Sequence, residues 1–236
     1  MIELIQDYWQ PFIYSDGQQV TGLAMTLWLT SASLCFGLLL ALPLSIARVS
    51  TLRWLRWPVH GFTYLFRGTP LYIQLLIFYT GIYSMAAVRE QPLLEGFFRE
   101  AINCTLLAFS LNTGAYTTEI LAGAIRAMPR GEIEAARSLG FSGWKLYVHL
   151  IMPSALRRSL PYYSNEVIFM LHSTTLAFTA TVPDILKVAR DANAATFLTF
   201  QSFGFAAALY QCITFALVGV FRLAERRWLR FLDPGR

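Results

Sequence analysis

The sequence predicts an all-α polytopic membrane protein with five transmembrane helices. Three observations predict this class: 56% of the 236 residues are hydrophobic, only 14% are charged, and five long segments are nearly free of charge. A soluble domain carries about 25% charged residues, so too few charges remain here to cover a soluble globule of this size. The same figures exclude a disordered chain, a coiled coil and a collagen-like chain.

The five charge-poor segments are long enough to cross a bilayer as helices, which takes about 20 apolar residues. A helix also satisfies its own backbone hydrogen bonds, as a membrane crossing requires. The spans, all within a single transmembrane domain that covers 1–236, are predicted at about 21–47, 69–88, 102–125, 160–182 and 202–221.

The distribution of Lys and Arg between the loops predicts the orientation. The segments 48–67, 126–158 and 222–236 contain 15 of the 19 Lys and Arg residues. Cytoplasmic loops are enriched in these residues, so the N-terminus is expected outside and the C-terminus in the cytoplasm. The net charge of +5 then follows from topology and indicates no nucleic-acid partner.

The longest cytoplasmic loop, 127–159, is the most informative part of the chain. Its segment 132–139 is rich in helix formers. Gly140 suits the left-handed residue that follows a helix. Ser142 is a candidate N-cap for a second helix that starts near Gly143. The loop is therefore expected to form a helical hairpin.

Ala135 and Ala136 give the first helix of this hairpin a face with almost no side chain. Such a face lets another surface approach the helix backbone closely. From these residues alone, a hairpin that docks a partner and an ordinary amphipathic surface hairpin are equally compatible with the sequence.

A longer pattern favours docking. Glu134-Ala135-Ala136 is followed after three residues by Gly140 and, after nine more, by Leu150-Ile151-Met152-Pro153. This pattern resembles the EAA loop of the permease subunits of binding-protein-dependent ABC importers. The family pattern ends in Ile-x-Leu-Pro, from which Leu150 and Met152 depart mildly.

The resemblance extends over nearly the whole chain. Within the family, the sequence resembles amino-acid importer permeases and, in particular, the M-type permeases of histidine and lysine/arginine/ornithine importers. The narrower resemblance lies in SNEVI at 164–168, HST at 172–174 and AFTATVPD at 177–184.

The resemblance implies a type I ABC importer permease fold in the bacterial inner membrane and a transport subunit that is not itself an enzyme. No GxxxxGK[ST] loop is present to hold phosphates, so ATP and Mg are expected on a separate ATPase, with no cofactor in this chain. The implied ATPase contacts are Glu134, Ala135, Ala136, Arg137 and Gly140.

The implied mechanism is alternating access driven by an ATPase dimer. The other implied partners are a second homologous permease of the Q-type, which would form a heterodimer with this chain, a periplasmic substrate-binding protein and the lipid bilayer. No nucleic acid and no metal site is expected, since the histidines and cysteines show no metal-ligand spacing.

Two acids, Glu119 and Glu166, lie within predicted spans, where an acid is a candidate functional residue by default. Glu166 either pairs with a cationic substrate or forms a structural pair with a helix end or an Arg. For Glu119 a structural role is favoured, and His172 is either a substrate contact or a packed polar residue. The candidate residues of the substrate path are Glu166, Asn165, Ser173, Thr174, His172, Asn112, Tyr116 and Glu119.

Arg67, Pro70 and Gln74 open the second span and are candidates for a cytoplasmic gate. Arg67 is equally compatible with an ordinary role, in which its side chain reaches the cytoplasmic headgroups.

The segment after the fourth span predicts a short external helix. Pro183 and Asp184 suit a helix start, and Ile185, Val188 and Ala189 form an apolar stripe. The helix is expected either on the membrane surface, where it would meet the substrate-binding protein that the resemblance implies, or as a solvated connector.

The function predicted from these features is translocation of basic amino acids (histidine, lysine, arginine and ornithine). The alternatives are a permease for other polar amino acids, such as glutamine or glutamate, and a channel that is not coupled to ATP.

Overall fold

The computed structural model describes residues 2–229, with side chains from residue 7 onwards. Residues 1 and 230–236 lie outside the described residues, and with them the ends of the predicted domain 1–236 and of the basic segment 222–236. The α-helices are α1 (Ile2–Ile13), α2 (Gly22–Val49), α3 (Arg53–Gly68), α4 (Leu71–Leu76), α5 (Ala86–Arg89), α6 (Pro92–Arg99), α7 (Ala101–Arg126), α8 (Arg130–Ser138), α9 (Gly143–Leu146), α10 (Met152–Ser173), α11 (Ile185–Thr196) and α12 (Thr199–Trp228).

Shorter helical turns connect several of these elements. A π-helical turn, Ile77–Ile82, continues α4, and a second one, Tyr147–Ile151, joins α9 to α10. A 3₁₀ turn, Thr174–Ala180, continues α10. Across the described residues, extended pairing is limited to two isolated bridges, Ser15–Val20 and Gly22–Asp184.

Helices lie over each of the five predicted spans. By length and hydropathy, α2 and α12 are long and apolar enough to cross a membrane, and Leu71–Ile82 is a shorter apolar helix. The segment 69–88 is not one continuous α-helix, because the π-helical turn follows Leu76 and the backbone is extended at Met85. Five crossings therefore stay a prediction.

The helix α7 forms the centre of the fold, and 15 of its 26 residues are buried. It packs against α2, α3 and α10. Gly37 of α2 meets Gly114 of α7, and a Cβ at Gly37 would collide with the side chain of Thr113. Small residues at such a crossing let two helix backbones approach closely, as membrane-protein interfaces favour.

The predicted hairpin is present. Its first helix, α8, ends with Gly140 in the left-handed conformation (φ 85°). The Gly140 N–H donates to the Arg137 carbonyl (3.0 Å), and the Phe141 N–H donates to the Ala136 carbonyl (3.1 Å). This pair of bonds is the Schellman helix end, which satisfies carbonyls that a helix leaves unpaired.

The second helix of the hairpin, α9, begins at Gly143 as predicted. Ser142 is extended (φ −142°, ψ 163°), as an N-cap residue should be, but its side chain makes no capping hydrogen bond. The predicted cap is therefore wrong in its chemistry, and only the position of the helix start is confirmed.

The external helix α11 begins at Ile185, and Asp184 caps it by accepting from the Lys187 N–H (2.9 Å). Its apolar stripe is buried, with Ile185 and Ala189 fully inaccessible. The stripe packs in one cluster with Phe12 of α1 and residues of α12. The solvated-connector interpretation is wrong for this face, because protein covers the stripe. The position of α11 relative to the membrane surface stays a prediction.

Asp184 is itself fully buried, between α11 and α12. The Tyr210 hydroxyl donates to Asp184 Oδ2 (3.1 Å). Lys187, on the same helix, directs its ammonium group to Asp191 instead. Burial therefore dominates over the hydrogen bonds and raises the pKa of Asp184 from 3.8 to about 7.

This pKa predicts how stability depends on pH. Between pH 3.8 and about 7 the folded state holds a proton that the unfolded state releases, so stability falls as pH rises through this window and then levels. We expect the thermal midpoint of the detergent-solubilised protein to decrease accordingly, and Asp184→Asn to remove this decrease. A wild-type midpoint that rises from pH 4 to 7 and an unchanged profile in the variant would contradict the assignment.

Candidate functional site

Glu119 joins three helices at one end of the fold. Its Oε1 accepts from Arg48 Nε of α2 (2.5 Å) and from the Thr63 hydroxyl of α3 (2.8 Å). Arg48 also contacts His60 Nδ1 (3.2 Å). The Glu119 side chain is 16% exposed, so the carboxylate is held by an ion pair and a hydroxyl. This arrangement ties α2 and α3 to α7.

Gln74 and Asn112 form a buried amide pair between α4 and α7. Asn112 Nδ2 donates to Gln74 Oε1 (3.1 Å) and to the Phe66 carbonyl (3.0 Å). Gln74 Nε2 donates to the same Phe66 carbonyl (2.8 Å) and to the Thr69 carbonyl (3.0 Å). The two amides therefore satisfy carbonyls at the end of α3, which the helix itself leaves unpaired.

The other two gate candidates occupy the same corner. Pro70 precedes the first residue of α4. The Arg67 guanidinium carbon lies 5.1 Å from the centre of the Tyr116 ring, within the range of a cation–π contact. The role of these residues at a gate stays a prediction.

A cavity of about 440 Å³ lies beside Arg67, bounded by α7 and α10. Its polar lining consists of Arg67, Tyr116, Glu119, Arg158 and Tyr162. A more open cavity of about 330 Å³ adjoins it and shares Arg67 and Glu119. The larger cavity has the size of a small-molecule site, with aromatic walls and a few convergent charges.

Glu166 lies one helical turn beyond Tyr162 along α10 and is 6% exposed. The Thr113 hydroxyl of α7 donates to its Oε1 (2.7 Å). Thr113 in turn precedes Tyr116 by about one turn of α7. The Glu166–Thr113 contact therefore lies one turn past the aromatic walls of the larger cavity and is covered by the packing of α7 on α10.

The remaining path candidates do not converge with Glu166 on an open site. Ser173 and Thr174 are buried, and their hydroxyls donate to carbonyls of their own helix. Asn165 is exposed, and His172 contacts the Thr214 hydroxyl of α12 (3.1 Å). The predicted face of α10 thus points into the protein rather than along one continuous path.

Three of the residues predicted from the sequence, Arg67, Tyr116 and Glu119, line one cavity. Arg158 and Tyr162 complete its polar lining and are not among the residues predicted from the sequence. Helical periodicity could have found them, because Arg158, Tyr162 and Glu166 follow one another at intervals of four residues.

The predicted ATPase contacts lie on α8 and the turn that follows it. Glu134, Ala135, Arg137 and Gly140 are exposed. Ala136 is half-buried and packs against an apolar cluster that includes Ile125, Met128 and Ile151. The small-residue face predicted from the two alanines is therefore divided, with Ala135 outward and Ala136 inward. Contact of this surface with an ATPase stays a prediction.

Comparison of the sequence with known protein families and curated proteins identifies one family of transport components. Residues 20–230 match the family of binding-protein-dependent transport system inner membrane components. The histidine/lysine/arginine/ornithine transport system permease protein HisM of Salmonella typhimurium is 59% identical over 233 residues, which cover 99% of each chain. HisM of Escherichia coli K12 is 57% identical over 234 residues, 99% of this chain and 98% of that one.

A solved structure described as an amino acid ABC transporter with histidines matches the fold. Its TM-score is 0.74 at 29% sequence identity, and the match covers 86% of this chain and 91% of that chain.

Proposed function

Because the chain belongs to the family of binding-protein-dependent transport system inner membrane components, we propose that it is the permease subunit of an ATP-driven importer of basic amino acids. The observation that carries this proposal is the similarity, over 99% of both chains, to a permease named for histidine, lysine, arginine and ornithine. The chain is a transport component and not an enzyme, as family membership shows.

In the proposed topology, the chain crosses the bacterial inner membrane five times through α2, α4 with its π-helical turn, α7, α10 and α12. The N-terminus lies outside and the C-terminus lies in the cytoplasm. The distribution of charge supports this orientation, because the segment 48–67, which includes α3, and the segment 126–158, which includes the hairpin, carry 10 of the 19 Lys and Arg residues. The larger cavity, which contains Arg158 at the start of the fourth span, then opens on the cytoplasmic side.

The proposed substrate path uses this cavity and the buried carboxylate one turn beyond it. Arg67 offers a cation for an α-carboxylate, and Tyr116 and Tyr162 offer aromatic faces for a cationic side chain. Glu166 offers a negative charge in a position where acids are costly to bury. For a substrate to reach Glu166, α7 and α10 must separate around the Thr113 contact, which alternating access would supply.

The proposed partners supply the energy and the substrate. An ATPase dimer that carries ATP and Mg would dock on the α8 hairpin. A second homologous permease of the Q-type would complete the path, and a periplasmic binding protein would deliver the amino acid. Exposure of Ala135 and Gly140 supports docking at the tip of α8, because small residues permit close approach of another chain.

The test is uptake of labelled arginine, histidine and glutamine by cells that lack this gene, with and without a plasmid that carries the wild-type chain. We expect the plasmid to restore uptake of arginine and histidine but not of glutamine. Restored glutamine uptake alone would support the alternative substrate class. Uptake that is independent of ATP would instead support a channel.

A further inference from the structure

Arg158 contacts the hairpin and the larger cavity at the same time. Its Nη2 donates to Glu132 Oε1 of α8 (2.9 Å), and its Nε donates to Ser154 Oγ (3.2 Å), one turn earlier on its own helix. Its side chain is only 15% exposed. It also lines the cavity that contains Arg67, Tyr116 and Glu119. One guanidinium therefore lies between the predicted docking helix and the predicted path.

The other contacts of α8 are of a different kind. Ile133 and Ala136 pack against the apolar cluster formed by the end of α7 and the start of α10. Apolar packing is not directional, so it holds α8 close to the protein without fixing one point of it. A charge-assisted hydrogen bond has a preferred distance and angle, and it fixes Glu132 to Arg158.

Arg158 lies on the same side of α10 as the residues of the proposed substrate path. Tyr162 and Glu166 follow Arg158 at intervals of four residues, so all three lie on one side of the helix. A displacement of α8 that pulls on Arg158 therefore acts on the side of α10 that lines the cavity and holds Glu166.

We propose that the Glu132–Arg158 ion pair transmits movement of α8 to the cavity wall on α10, which makes Arg158 a positioning residue for transport. This inference rests on the proposed function, because α8 moves only if an ATPase docks on it. Its role is to couple two movements, and its contribution to folding stability is small, as is usual for a partly exposed ion pair.

The test uses the complete transporter, purified with its native partner chains and binding protein and reconstituted in liposomes. Arginine uptake and ATP hydrolysis are measured in the same sample. We expect Arg158→Gln and Glu132→Arg each to lower the arginine taken up per ATP by about five-fold, the upper range for an exposed ion pair. Arg158→Lys, which keeps the charge, should retain most of the wild-type ratio.

The double variant Glu132→Arg with Arg158→Glu rebuilds the ion pair with its charges exchanged. It should restore the arginine taken up per ATP to more than half of the wild-type value. Arg157→Gln is the matched control, because Arg157 lines a different cavity, with Leu38 and Trp228, and should leave the ratio unchanged. If Arg158 only supports assembly, its variants lower uptake and hydrolysis equally, and the inference is overturned.

The remaining outcomes separate this inference from the proposed function. A wild-type transporter that shows uptake, together with a charge reversal that fails to restore it, overturns the inference alone. The same conclusion follows if Arg157→Gln lowers the ratio as much as Arg158→Gln. A wild-type transporter without ATP-dependent uptake overturns both.

Discussion

We expect Gly140→Asp to lower transport by roughly 30-fold or more, while the chain remains in the membrane at the wild-type level. Gly140 has a φ of 85°, and an ideal Cβ built there meets no atom within 4 Å. The protein itself therefore has room for the side chain, and the backbone strain amounts to about 1–2 kcal/mol at most. The loss must come from a partner that approaches the turn, where an unpaired buried charge costs about 2 kcal/mol, or roughly 30-fold.

Gly17→Asp is the matched control for this substitution. Gly17 also has a positive φ, of 92°, and also has no atom within 4 Å of an ideal Cβ. In the proposed topology it lies on the other side of the membrane from the hairpin, so Gly17→Asp should transport normally. Both variants are compared by arginine uptake, membrane level and the amount of ATPase that co-purifies. Normal arginine uptake in Gly140→Asp would contradict the proposal that the ATPase docks at this turn. An equal loss of uptake in Gly17→Asp would show that backbone strain, and not docking, causes the effect.

Features of the fold that are determined by residues adjacent in the sequence could be predicted. The turn at Gly140 and the start of α9 at Gly143 follow from backbone preferences that act within a few residues. The start of α11 at Ile185 is of the same kind. Its environment could not be predicted, because an apolar stripe is equally stable against lipid and against protein.

The contacts of the site could not be predicted because they join residues that are distant in the sequence. Glu119 pairs with Arg48, which is 71 residues away, and Asn112 pairs with Gln74, which is 38 residues away. The sequence predicts Glu119, Asn112 and Gln74 as candidate site residues, but it gives no reason to single out Arg48. Their partners depend on how helices pack, which hydropathy and periodicity do not specify.

The two acids within predicted spans, Glu119 and Glu166, differ in the partners that the fold gives them. Glu119 has a cation and a hydroxyl as partners, so its charge is already balanced within the chain. Among the described side chains, the Thr113 hydroxyl donates to Glu166, and no Lys or Arg forms an ion pair with it. An acid that is buried without a cationic partner is the better candidate for a cationic substrate.

We therefore expect Glu166→Gln to lower arginine uptake by roughly 30-fold or more, since removing one partner of a buried charge pair costs about 2 kcal/mol or more. The amide oxygen of Gln can still accept from Thr113, so the α7–α10 contact and the membrane level should be preserved. Glu119→Gln is the comparison, because it removes a charge that Arg48 already balances. It should lower the thermal midpoint more than Glu166→Gln does. Full arginine uptake in Glu166→Gln would make Glu166 structural, because a cationic substrate that needs no carboxylate there cannot be paired with it.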